Sequence, residues 1–233
     1  WTAGGAMITC RRELGGAGTQ NAGLAFGGTP GVSCTEEYNG TSWSAGGALI
    51  TARCSLAGAG TQNAGLAFGG FSGGVRSCTE EYDGTSWSAG GAMIQCRQKL
   101  GGAGTQNAAL AFGGIITPSP TGTACTETYN GTSWSTGGAM ITARCGIAGA
   151  GTNLCALAVA GNTPSTTTCT EEYSLNPAQA TIKTFDYSST TGAVILLAVS
   201  ASLNFVDDTA AATGGVPLGG LYRSGSLIRI RLS

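Results

Sequence analysis

Apolar positions along this chain come in short bursts broken by glycine, and the bursts recur with nearly the same text. Tryptophan falls at Trp1, Trp43, Trp87 and Trp134, with spacings of 42, 44 and 47 residues. Between tryptophans run Ala-Met/Leu-Ile, an arginine, Gly-Ala-Gly-Thr, Leu-Ala-Phe-Gly-Gly, Cys-Thr-Glu-x-Tyr and Asn/Asp-Gly-Thr-Ser-Trp. Four copies cover residues 1–173, and a period of this size points to blades or solenoid turns.

Each copy divides into four short strands. In the second copy, Leu56–Gly60 is a first strand whose small residues suit a crowded centre, and Asn63–Phe68 is a second, ended by Gly69-Gly70. Cys78–Tyr82 alternates as a third strand should. Asp83-Gly84 is a two-residue hairpin signal, as are Asn39-Gly40 and Asn130-Gly131. A fourth strand starts at Thr85 and carries Trp87. Four strands per repeat predict an all-β fold, a β-propeller of about four blades. Asn39-Gly40-Thr41 and Asn130-Gly131-Thr132 also match the glycosylation sequon. The turn explains them without a sugar, because Asp83 takes the same place in the second copy.

Composition narrows the function. Glycine supplies 41 of 233 residues, the formal net charge is −1, and histidine is absent. A charge near zero leaves no basic footprint for nucleic acid. Without histidine, Ser-His-Asp and Cys-His nucleophiles and His-containing zinc or copper sites cannot be built. The longest apolar run, Ala193–Val199, falls far short of the ~20 residues a membrane-spanning helix needs. No leader opens the chain, and its start on Trp1 predicts processing or truncation. A soluble protein that is not an enzyme, holds no cofactor and does not insert into membranes is expected.

The repeats resemble the kelch family. The likeness rests on the glycine pairs Gly27-Gly28, Gly69-Gly70 and Gly113-Gly114, then Tyr38, Tyr82 and Tyr129, then Trp43, Trp87 and Trp134, with Arg11, Arg53, Arg97 and Arg144 ahead of the first strands. The copper chemistry of some kelch propellers needs histidine ligands and does not carry over. The fourth copy departs: Ala160-Gly161 replaces the glycine pair, and Gly-Thr-Ser-Trp is missing after Tyr173. Trp1–Gly5 reads as the orphan fourth strand that completes that copy and closes a four-bladed ring. The rival is a larger ring with blades preceding Trp1.

Charges and cysteines also recur. Arg11, Arg53, Arg97 and Arg144 pair in register with Glu36, Glu80, Glu127 and Glu171. They are expected as buried structural ion pairs, one per blade, rather than as a polar ring around a channel. Cys34, Cys78, Cys125 and Cys169 open the third strands, while Cys10, Cys54, Cys96 and Cys145 flank the arginines. Inter-blade disulfides Cys34–Cys54, Cys78–Cys96, Cys125–Cys145 and Cys10–Cys169 would suit a non-reducing compartment. Pairing within blades, or free thiols, stays open.

The frame repeats, but the stretch from glycine pair to cysteine varies in length: 5, 7, 10 and 7 residues. Thr29, Phe71, Arg76, Ile115, Ile116 and Asn162 in these loops are the candidate contacts for a ligand or partner. Residues 174–180 read as a linker, and 181–233 as a small β module that includes strands Thr181–Tyr187, Ala193–Val199 and Leu227–Leu232 and a loop over Asp207–Gly220. Its closing strand alternates Ile228, Ile230 and Leu232 with Arg229 and Arg231.

The text Asn204-Phe205-Val206-Asp207-Asp208, Gly214 to Arg223 and the closing Ile-Arg-Leu-Ser resembles a C-terminal module of marine bacteriophage virion proteins. That resemblance implies a virion component anchored through Tyr222, Arg223, Arg229 and Arg231. Other capsid or tail proteins, a host-surface glycan and further copies of the chain are the implied partners. The alternative is a secreted or cell-surface bacterial adhesin of kelch type.

Overall fold

A computed structural model of the chain describes residues 1–117, 121–163 and 165–175, and beyond these the backbone of four short strands. Two compact units divide it, Trp1–Ser174 and Leu175–Ser233. The first is a four-bladed β-propeller. Blade 1 contains β1 (Gly15–Thr19), β2 (Ala22–Phe26), β3 (Thr35–Tyr38) and β4 (Trp43–Gly46), and blade 2 contains β5 (Ala57–Gly60), β6 (Gly65–Phe68), β7 (Thr79–Tyr82) and β8 (Trp87–Ala89). Blade 3 is β9 (Gly101–Thr105), β10 (Ala108–Phe112), β11 (Thr126–Tyr129) and β12 (Trp134–Thr136). Blade 4 has β13 (Ala148–Gly151), β14 (Cys155–Val159) and β17 (Thr170–Ser174), with the two-residue strands β15 (Asn162–Thr163) and β16 (Ser165–Thr166) as a small ribbon between them. Each blade is an antiparallel meander, strands in chain order from the inside out.

The sequence builds these sheets locally. Asn39, Asp83 and Asn130 each accept hydrogen bonds through Oδ1 from the amides two and three residues on, at 2.7–3.0 Å, which fixes the hairpin before each outer strand. Glycine suits the inner strands because they approach closely. A Cβ on Gly58 would lie 2.5 Å from the Gly16 carbonyl of the neighbouring blade.

Register then sorts each blade into two faces. In blade 1, Phe26 lies opposite Thr35 and Leu24 opposite Glu37, forming the forward face; Ala25 opposite Glu36, with Tyr38 opposite Trp43, forms the rear. The rear face of one blade packs on the forward face of the blade before. Trp87 Nε1 donates to Thr35 Oγ1 at 2.9 Å, and Trp134 Nε1 to Thr79 Oγ1 at 2.9 Å. Ring centroids lie 5.0 Å apart for Phe26–Trp87 and again for Phe68–Trp134. The Tyr82 hydroxyl donates to Glu37 and that of Tyr129 to Glu81. Burial, with the Glu37 carboxylate next in weight, pushes the Tyr82 hydroxyl up to about 12; Tyr129 is pushed up to about 12 by burial and Glu81. Three apolar clusters, one per blade pair, form the core. Each fully buried Leu, Phe or Met contributes roughly 1.5–3 kcal/mol.

The N-terminal segment departs from expectation. Trp1–Gly5 forms no strand, Trp1 is fully exposed, and among the described residues the one strand that pairs with β17 is β14. Inner strands pack in the series β1, β5, β9, β13, and β13 makes no comparable contact with β1. The Gly5 amide nonetheless donates to the Tyr38 hydroxyl at 3.4 Å, as the Gly47 amide does to Tyr82 at 3.3 Å. The lead-in to blade 1 is therefore seated while its tryptophan is not.

Among the described residues, the second unit contains two hairpins, β18 (Phe185–Ser188) with β19 (Ala193–Leu196), and β20 (Leu221–Ser224) with β21 (Leu227–Ile230). Tyr222 is opposite Arg229 and Arg223 opposite Ile228. Arg231 and the expected loop Asp207–Gly220 lie outside the described residues.

Candidate functional site

The recurring charges are clamps. Arg11, Arg53, Arg97 and Arg144 have fully buried side chains, and each lies 2.8–3.3 Å from the glutamate expected for it: Glu36, Glu80, Glu127 and Glu171. Arg53 Nη1 also donates to the carbonyls of Gly69 (3.0 Å) and Cys78 (2.7 Å), and Nη2 to that of Ala67. Glu80 in turn accepts from the amides of Ile50 and Thr51, so the loop entering the blade is tied to its third strand. Burial lowers the pKa of Arg53 and Arg97, but each side chain is charge-paired and hydrogen-bonded. These groups are buried and paired, and they hold the frame. Glu36 and Glu37 serve opposite faces, the first to Arg11 and the second to Tyr82.

No disulfide forms: all nine cysteines are free, so the expected bridges among Cys10, Cys34, Cys54, Cys78, Cys96, Cys125, Cys145 and Cys169 are corrected. Four of the thiols are engaged inside their own blades, while Cys10, Cys96, Cys155 and Cys169 are exposed. Cys34 and Cys78 accept through Sγ from Arg11 (3.1 Å) and Arg53 (2.7 Å), while Cys54 and Cys145 donate to the carbonyls of Phe71 and Asn162.

The four variable loops start at equivalent positions in their blades. Each begins with a residue bridged to the one just after the recurring arginine or next to it: Thr29 with Arg12, Phe71 with Cys54, Ile115 with Gln98 and Asn162 with Cys145. The residue after that partner takes a left-handed conformation in every blade: Glu13 (φ 55°), Ser55 (φ 53°), Lys99 (φ 53°) and Gly146 (φ 62°). These four link blade to blade. The Ser55 amide donates to the Glu13 carbonyl, Lys99 to Ser55 and Gly146 to Lys99, at 2.7–2.8 Å. The result is a rim at the start of the inner strands whose backbone is constant and whose side chains differ.

On this rim the Ser55 hydroxyl donates to Glu13 at 2.7 Å and the Thr29 hydroxyl at 3.4 Å. The Ser55 hydrogen bond, helped by the Lys99 charge, holds the Glu13 carboxyl below the usual range. Phe71 stands exposed beside Cys54, and Ile115 and Ile116 are half-buried. Arg76 folds back on its own loop, donating to the Ser72 carbonyl. A carboxylate, an ammonium and an aromatic face on one rim can bind a polar ligand with an apolar side, the buried Ser55 hydroxyl holding the carboxylate in place.

Glu13, Ser55 and Lys99 escape a reading that looks for recurring residue types. The signal that finds them is the reverse, a position that changes in every copy between an invariant arginine and an invariant Leu/Ile.

No family model matches the chain, and no curated protein matches it.

Proposed function

We propose that this chain is a non-enzymatic binding head, a kelch-like propeller displayed on a phage particle for decoration or host attachment and held there by its C-terminal module. The observation that carries the binding half is the rim, where one backbone frame exposes Glu13 on blade 1, Phe71 on blade 2 and Lys99 on blade 3, with the buried Ser55 hydroxyl orienting the Glu13 carboxylate. A purely architectural frame has no need to vary at a single register position. The particle half rests on the C-terminal text from Asn204 to Arg223 and its resemblance to marine phage virion modules. Many copies on one particle turn weak rim contacts into useful avidity.

A screen of the protein against surface glycans tests the binding half, with Lys99→Ala and Phe71→Ala as controls. Expected is saturable binding to a glycan subset that both substitutions reduce at least about tenfold. Binding that ignores both substitutions rejects the rim. Imaging of purified particles tests the display half, and a chain found free or on a bacterial surface favours the adhesin reading instead.

A further inference from the structure

The interface between blades 3 and 4 contains a hollow that the other two interfaces fill. It is lined by Phe112, Thr126, Met140, Ala156 and Tyr173. Between blades 1 and 2 the equivalent ring, hydroxyl and tyrosine are Phe26, Thr35 and Tyr82, and Trp87 sits among them, its Nε1 on Thr35. Between blades 2 and 3, Trp134 repeats this with Phe68, Thr79 and Tyr129. Blade 4 has no outer strand among the described residues, so the hollow is a tryptophan slot with a hydroxyl acceptor, beside the free edge of β17.

Two open faces go with it. The forward face of blade 4 exposes Leu157, Val159, Thr170 and Glu172, at the positions of Leu24, Phe26, Thr35 and Glu37 in blade 1. At the other end, Tyr38 and Trp43 are half-buried where Tyr82 and Trp87 are buried. Three formed interfaces leave β13 and β1 without substantial contact with each other, so within one chain neither face covers the other.

We infer that a second copy of this chain covers both, head to tail. Its Trp1–Gly4 segment adds to the edge of β17 as an outer strand, with Trp1 in the slot and Nε1 on Thr126 Oγ1. Its Tyr38 and Trp43 then meet Glu172 and Thr170, as Tyr82 and Trp87 meet Glu37 and Thr35. The seating of Gly5 on Tyr38 already sets the segment on that course. Exchange of the same contacts in both directions closes a two-copy ring. The seam is the weakest of the interfaces. Val159 replaces a phenylalanine, and Ala160 stands where a Cβ at Gly27 would lie 2.6 Å from the next blade's arginine carbonyl, so association is reversible.

Light scattering on the full chain across a dilution series tests this. Expected is reversible conversion between the 23.0 kDa chain and twice that mass. Trp1→Ala raises the dissociation constant about 30-fold or more, and Thr126→Val about 3- to 10-fold. Leu157→Arg, on an exposed position, abolishes the dimer. Mixing Trp1→Ala with Leu157→Arg restores a one-to-one pair, because one interface then has two intact halves. A wild-type monomer overturns the inference, whether its Trp1 is shielded by its own blade 4 or exposed to solvent. So does a dimer indifferent to both substitutions, or a mixture that stays monomeric.

Discussion

Blades 2 and 4 are written in nearly the same residues and end up in different states. In β6, Gly65, Leu66, Ala67 and Phe68 are all buried; in β14, Leu157 is 39% exposed and Val159 37%. The inner strand Ala57-Gly58-Ala59-Gly60 is half or fully buried, whereas Ala148-Gly149-Ala150-Gly151 is exposed throughout. Blade 2 has a neighbour on each face and blade 4 has one. The difference shows where a blade's stability resides. Hairpins and the arginine clamp are internal and survive in blade 4, while apolar burial is a property of pairs, as in other repeat proteins.

The largest effect is expected at the clamp inside a covered blade. Arg97→Ala leaves Glu127, itself buried, without its cation and strips donors from the Gly113 and Cys125 carbonyls. Breaking such a pair costs about 3–5 kcal/mol. Arg144→Ala in blade 4 should cost less, because Glu171 is already partly wetted. Denaturant unfolding of the two variants checks this, and equal losses would mean that the clamp's worth owes nothing to the neighbouring blade.

Much of this frame was legible in the text. The period, the Asn/Asp-Gly turns and the in-register Arg and Glu specify the blades and their clamps. Strand bounds moved by one or two residues, as at β6, which starts at Gly65 rather than Asn63. The closure at Trp1 was not decided by the text, since Trp-Thr-Ala-Gly-Gly spells an outer strand whether or not a β17 edge lies within reach. The disulfide expectation failed for a related reason. Sequence gives the spacing of Cys34 and Cys54 but not the arginine and carbonyl that each thiol faces inside its own blade. The rim lay hidden because its defining feature is backbone conformation. Glu13, Ser55 and Lys99 share a left-handed φ and no side-chain chemistry.

Alkaline titration reads the buried tyrosines of the two covered interfaces. Tyr82 and Tyr129 are pushed up to about 12, above the ordinary value near 10. A raised folded-state value favours the protonated folded form, so this contribution is whole below pH about 10 and is lost as pH climbs through about 12. Unfolding followed by far-UV dichroism should show stability falling in that window. Tyr129→Phe should flatten the fall, whereas Tyr173→Phe should change it less. An unchanged profile in Tyr129→Phe would remove these hydroxyls from the account.

The smallest effect concerns why Tyr173 differs. Its hydroxyl is raised by burial alone, because blade 3 carries Thr128 where blades 1 and 2 carry Glu37 and Glu81. Register places residue 128 opposite Leu110, as Glu81 is opposite Leu66, so the side chain points to the same forward face. Thr128→Glu therefore supplies the missing acceptor. The gain is a charge-assisted hydrogen bond, offset by the Thr128–Ser135 hydroxyl contact at 2.9 Å that the substitution removes. A net stabilisation below about 1 kcal/mol is expected, with the Tyr173 titration moving further up. A Tyr173 titration that does not move would show that blade 4 sits in a different rotation on blade 3 than blades 2 and 3 adopt on theirs, and the equivalence of the three interfaces would fail at the last one.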